Sequence, residues 1–230
     1  GGNVKIMLSQ LNSVRIKRRK KNTFEWTTIR EVPIVTVDDL NFITLDSFVP
    51  SGENFEWAIV PVIEKAEGNY LIGSLKTKFN GIFISDAETI FKLYSGVAYS
   101  NDSSNVSIGT VKPFGAKYPT VNMNGKTDYE TLSIQGTLLG ANFEKNRKLN
   151  RNEIVAQKEQ FMKFMKNGKS KIIKDWNGNI WLVILTSALT FATNPSYGMG
   201  IPTVGFDVTE QGKYDNQRDL YENGLIEVIE

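Results

Sequence analysis

Residues 169–185, KSKIIKDWNGNIWLVIL, constrain the fold more than any other stretch of the chain. Asp175, Trp176, Asn177, Gly178 and Asn179 spell a tight turn, because Asn and Gly accept the positive φ that a hairpin demands. Behind the turn, residues 180–185 are six apolar residues without a break. Such a run predicts a strand covered on both faces. The hairpin follows directly on the one long helical pattern. Asn150 is placed to cap a helix at about 151–167, with Glu153 three residues on as in a capping box and Asn152 as the competing start. Ile154, Phe161, Met162 and Met165 fall near one face of that helix, Gln157, Lys163 and Lys166 fall elsewhere, and Gly168 stops it.

Upstream the pattern changes to short strands. Val4, Ile6 and Leu8 alternate with polar neighbours, as do Val14 and Ile16 with Arg15 and Lys17. Residues 24–33, 42–48, 55–63 and 70–79 supply four more candidates. Within 55–63 the alternation puts Phe55, Trp57 and Ile59 on one face, and Pro61, which has no N–H to donate, predicts an edge or a bend. Six short strands in about eighty residues predict a small β-sandwich over 1–79. Asn80 and Gly81 then mark a boundary.

In 80–230 the strand candidates are 82–85, 90–99, 128–142, 189–192 and 202–209, with Gly136 and Gly140 read as a weakening or a bulge. Residues 101–127, polar and punctuated by Gly and Pro, read as an extended arm or a long loop. Asp215 is the expected cap of a short helix through Glu222, ended by Asn223 and Gly224. The fold class is therefore mainly β: a sandwich at 1–79, then a sandwich or barrel-like module at 80–230 with one long helix. A length of 230 residues accommodates two such domains.

Absences narrow the chemistry. The chain contains no Cys and no His, which removes disulfides, thiolate nucleophiles, the usual zinc ligands and the commonest general base. No cofactor or metal site is expected. A net charge of +2 gives no global attraction to nucleic acid or acidic membranes, and no stretch has the length of a membrane span. The opening Gly1 and Gly2 read as the edge of an excised fragment.

Local features were each weighed against a plainer explanation. Residues 15–21 carry six positive charges in seven positions, enough to gather phosphate, yet a solvated strand end or a protein contact is the commoner use. Asp175, Asn177 and Asn179 open like a calcium loop, but Ile180 and Thr186 stand where Gly and a bidentate Glu are needed. Residues 68–73 have the glycine spacing of a phosphate loop without its lysine. Asn101 and Asn105 head formal glycosylation sequons that matter only in a secreted eukaryotic protein. Trp176, Trp181 and Tyr197 offer aromatic faces that could stack on sugar, although Trp181 sits among core-type neighbours. Nothing sets two carboxylates at catalytic separation, so an enzyme is not expected.

Residues 49–79, VPSGENFEWAIVPVIEKAEGNYLIGSLKTKF, resemble a fibronectin type III domain of the kind attached to phage tail proteins. From Thr131 onward the chain is similar to structural proteins of bacteriophage tail tips or baseplates, or of their prophages, in Gram-positive hosts. The stretches that carry this are LSIQGTLLGANFEKNRKLNR, the helix with GKSKIIKDWNGNIWLVIL, and YGMGIPTVGFDVTEQGKYDNQRDLYENGLIEV. The resemblance implies a non-catalytic virion part that packs against copies of itself and other tail or baseplate proteins. On that reading Trp176, Asp215, Asn216, Asp219 and Tyr221 are the candidate partner or ligand contacts, and nucleic acid and membrane are not expected partners. The rival expectation is a receptor- or carbohydrate-binding protein that reaches a cell-surface glycan through Trp176.

Overall fold

A computed structural model describes residues 10–193 and 200–226. The expected strand at 4–8 and Tyr197 lie outside the described residues. In chain order the first elements are β1 (Leu11–Lys20), β2 (Thr27–Pro33), β3 (Asn54–Ile63), β4 (Ala66–Glu67), β5 (Leu71–Lys76) and β6 (Ile82–Ser85). Then come β7 (Ile90–Val111), β8 (Thr120–Thr137), α1 (Phe143–Asn146) and α2 (Arg151–Met165). The chain continues through β9 (Lys171–Lys174), β10 (Ile180–Leu185), β11 (Thr190–Thr193), β12 (Pro202–Gly212) and α3 (Gln217–Glu222). The fold is mainly β, 46% strand against 15% helix, and its sheets include a closed six-stranded barrel.

Two compact units emerge, and they interleave in sequence rather than dividing between residues 79 and 80. The first comprises residues 1–90, 171–181 and 213–230; the second comprises 91–170 and 182–212.

In the first unit β1 to β5 form one antiparallel sheet in the order β2-β1-β3-β4, with β5 also on β3. Residues 42–48 are not the expected strand. Their backbone is irregular because Asp46 turns inward: its carboxylate accepts from Phe48 N at 3.1 Å, Arg18 Nη1 at 2.8 Å and Trp57 Nε1 at 2.7 Å.

The face assignment of β3 also changes. Ala58, Val60 and Val62 are buried with Phe55, whereas Ile59 is exposed. Pro61 is not on an edge strand, since β3 lies between β1 and the pair β4 and β5. Its carbonyl accepts from Gly68 N, so its missing N–H points to the same side, where β3 exchanges partners. Pairing with β5 ends at Ile59 and pairing with β4 begins at Val62, so no ladder bond is lost.

β6 pairs antiparallel with β9 in this unit, and the 175–179 turn forms as expected. Asp175 is fully buried, and its Oδ1 accepts from Asn177 N at 2.8 Å and Asn179 N at 2.9 Å while Oδ2 accepts from Asn179 Nδ2. Gly178 sits at φ +92, and a Cβ there would lie 2.9 Å from the Ser51 carbonyl oxygen. Both conformation and space therefore require glycine.

In the second unit β8 pairs with β7 on one side and with β12 on the other, β11 flanks β12, and β10 joins β12 from Leu182 onward. The expected two-sided cover of this strand holds: Trp181, Leu182 and Val183 are buried in succession. Gly136 is not a bulge, because the β8–β12 register runs through it unbroken. It is a close-approach position, where a Cβ would come within 2.7 Å of the Leu93 Cβ.

Asn150 caps α2 as expected, its side chain accepting from Asn152 N, which excludes Asn152 as the start. The helix buries Ile154, Gln157, Phe161, Phe164 and Met165. Gln157 thus belongs to the inward face, where its Oε1 accepts from Gly140 N at 2.8 Å, and Met162 is only half-buried. Phe161 is fully buried at the middle of an aromatic cluster with Phe91, Phe164 and Phe206, ring centroids 5.2–6.4 Å from it. Among the described residues no helix is long and apolar enough to cross a membrane.

Candidate interaction surfaces

The basic run at 15–21 is not a solvated strand end. β1 lies between β2 and β3, and each of its cations up to Lys20 meets a carboxylate. Arg15 pairs with Glu31 at 3.0 Å and with Glu67 at 2.9 Å, Lys17 with Glu67 at 2.6 Å, and Arg18 with Asp46 at 2.8 Å. Arg19 pairs with Glu56 at 2.6 Å and Lys20 with Glu53 at 2.9 Å.

Burial alone would raise the Glu67 carboxyl, but hydrogen bonds from Lys17, Tyr70 and Arg15 outweigh it and hold the pKa at about 2. The Arg19 guanidinium also stacks over Trp26 at 4.4 Å. Charge that reads as a polyanion site is therefore committed to holding a sheet together. A cavity of about 680 Å³ beside Arg18, Arg19 and Lys20, also lined by Phe24, Phe55 and Asp215, inherits that neutralisation.

Lys174, on β9, is also buried. Desolvation lowers its pKa to about 8, against the opposing pull of Asp46. Its Nζ donates to the Val49 carbonyl at 3.3 Å and lies 5.0 Å from the Phe79 ring.

The contacts expected from sequence divide into two groups. Asn216, not Asp215, caps α3: its Oδ1 accepts from Arg218 N and Asp219 N. An Asn at this position presents the same acceptor one residue closer to the first turn. Asp219 Oδ2 accepts from Lys213 N at 2.7 Å, so it too is engaged within the chain. Asp215 and Tyr221 remain exposed, and Trp176 is 40% exposed at the tip of its turn. Asn216, Asp219 and Tyr221 share one short helix; nothing in their geometry draws Trp176 into the same site. Among the described residues there is no group of three or more Asp or Glu side chains arranged to hold a metal.

Two apolar surfaces escape a reading of the sequence. Residues 101–127, expected as an extended arm or a long loop, form the outer part of a β-ribbon, which is the first of those alternatives. Ser103 pairs with Thr131 and Val111 with Thr120, leaving a connecting turn at 112–119 with Gly115 at φ +82. The pairing of β12 with β8 covers Thr131 to Thr137 only, so residues 120–128 of β8 extend past it. Ile108 faces Met123 and Thr110 faces Val121, which places Ile108, Val121 and Met123 on one side of the ribbon. All three are exposed, as are Val111, Tyr118 and Phe114, whose side chain at the turn is open to solvent.

The second surface lies on the first unit. Every residue of β5 is exposed, including Leu71, Ile72 and Leu75. Leu71 and Leu75 border a cavity of about 500 Å³ with Ile16, Ile29, Trp57 and Ile59. A neighbouring cavity of about 370 Å³ shares Ile29, Thr44 and Asp46 with it and adds Ile43, Leu45 and Glu88.

No protein-family model matches the chain, and no curated protein is similar to it in sequence.

Proposed function

We propose that this chain is a non-catalytic structural component of a phage tail tip or baseplate, acting through protein–protein assembly within the virion tail. The observation that carries the reading is the ribbon of β7 and β8, whose outer half presents Ile108, Val111, Phe114, Tyr118, Val121 and Met123 to solvent. A two-stranded ribbon is marginally stable in water on its own, and large exposed apolar patches mark contact surfaces. An arm of this form supports a part that is completed by its neighbours. The tail-like stretches at 132–151, 168–185 and 197–228 supply the choice of particle.

Electron microscopy of purified tails or tail-like particles carrying an epitope on this chain tests the reading. Label confined to the distal end of the tail is the expected result, and particles that contain no such label overturn it. A second reading, recognition of cell-wall glycan, draws on the half-exposed Trp176 held at the tip of a turn that Asp175 fixes. Glycan pull-down that is lost in Trp176→Ala would favour it.

A further inference from the structure

We infer that the arm of one copy docks into the apolar face of the first unit on a second copy. The inference rests on the assembly reading and names its partner surface. The arm supplies a convex apolar surface: Val111, Phe114, Tyr118 and Val121 surround its tip and are all more than half exposed. The face beside β5 supplies a concave one, with Ile59, Leu71 and Leu75 exposed around a cavity of about 500 Å³. Each copy therefore carries both halves of a contact.

Size and charge both fit. Two aromatic side chains bury roughly 150–250 Å² each, and with Ile108, Val121 and Met123 on one side of the ribbon the arm supplies a large part of the roughly 800 Å² per partner of a standard interface. The arm is also one-signed: no Asp or Glu occurs between Asp102 and Asp128, while Lys112 and Lys117 flank Phe114. Neither lysine makes an ion pair among the described residues. The lining of the receiving cavity holds no Lys or Arg, and its one charged side chain is Asp46. The adjoining cavity brings Glu88, whose carboxylate has no cation among the described residues, together with Arg30, which is turned onto the Ile43 carbonyl at 3.3 Å. An apolar tip flanked by lysines matches an apolar groove with an open carboxylate at one end.

The contact joins different patches on the two copies. It is heterologous, and it can propagate or close into a ring.

The absence of cysteine makes the test direct. Full-length Phe114→Cys and Ser74→Cys chains are mixed under mild oxidation, with Phe114→Cys plus Val155→Cys as the control pair. The expected result is a disulfide-linked heterodimer at several times the control yield. Sedimentation of the wild type should show self-association that weakens at least tenfold in Phe114→Asp/Tyr118→Asp, weakens in Glu88→Lys, and recovers when Glu88→Lys is mixed with Lys112→Glu/Lys117→Glu. Cross-linking no better than control overturns the inference, as does a wild type that stays monomeric to hundreds of micromolar. Self-association indifferent to the arm substitutions also overturns it while leaving assembly intact. Flotation with phosphatidylcholine–phosphatidylserine vesicles that needs Phe114, without cross-linking, reassigns the arm to a lipid surface. Only absence from the particle removes the assembly reading itself.

Discussion

β1 and the ribbon tip invert what their compositions suggest. β1 carries five cations between Arg15 and Lys20, yet Lys17 and Arg18 are only 4% and 6% exposed. The ribbon tip carries Val, Phe, Tyr and Met, yet these are among the most exposed large side chains in the structure. Burial here follows from the number of neighbouring strands and from available partners, not from polarity. β1 has a strand on each side and a carboxylate for each charge, whereas the outer ribbon has only its own second strand. A charged strand can be interior when its counter-charges are fixed in place, and an apolar one is exterior when its own chain supplies no cover.

The sharpest way to break this contrast is to remove one member of a buried pair on β1. Asp46→Ala leaves Arg18 unanswered and strips Trp57 Nε1 and Phe48 N of their acceptor. It should cost about 3–5 kcal/mol in urea unfolding.

Next in size, Lys174→Met removes a buried cation whose pKa is held near 8. The unfolded chain binds more protons than the folded one between pH 8 and about 10.4, so wild-type stability rises with pH across that window. The variant should gain about 1–3 kcal/mol at pH 7, and thermal melts should show the gain shrinking towards pH 10.

A smaller effect concerns Glu67, whose folded pKa of about 2 lies below the unfolded value of about 4.3. Its contribution is complete above pH 5 and is lost as pH falls towards 2. In Glu67→Gln the fall in melting temperature over that range should be shallower, from a lower starting value at pH 7.

Least of all should the arm matter to the isolated fold. Phe114→Asp/Tyr118→Asp should change unfolding free energy by less than about 0.5 kcal/mol. A large loss there would mean that the ribbon tip packs against its own chain and the contrast fails.

Much of the architecture was legible because its causes are local. The 175–179 turn, the β10 run, the Asn150 cap and the strand at 82–85 are each specified by residues within a few positions. What escaped depends on residues far apart. The carboxylates that neutralise β1 come from Glu31, Asp46, Glu53, Glu56 and Glu67, and of these only Glu31 lies near enough in sequence to be read as a counter-charge. Gln157 looked solvent-facing because nothing nearby announces that the Gly140 N–H needs an acceptor.

The ribbon escaped for a different reason. Its Ser, Asn and Gly content masks the alternation of Val106, Ile108 and Thr110, and the pairing of its outer part spans up to 28 positions, between Ser103 and Thr131. Of the nominated contacts, Asn216 and Asp219 were visible as polar residues near a helix start, but their commitment to α3 appears only in the hydrogen bonds. The apolar face beside β5 gave no advance signal, since exposed and buried leucines look alike in a sequence.

The ribbon has one more property. Its register shifts three times, between Tyr94 and Ala98, Ser100 and Ser103, and Val106 and Ser107. The last of these falls in the part of the ribbon that β12 does not cover, where it rotates the strands and interrupts the even spacing of N–H and C=O groups along the edges. A second ribbon cannot zip onto such an edge for more than a few residues before losing step. Exposed apolar side chains on such a ribbon are thus compatible with resistance to the open-ended strand stacking that leads to fibrils.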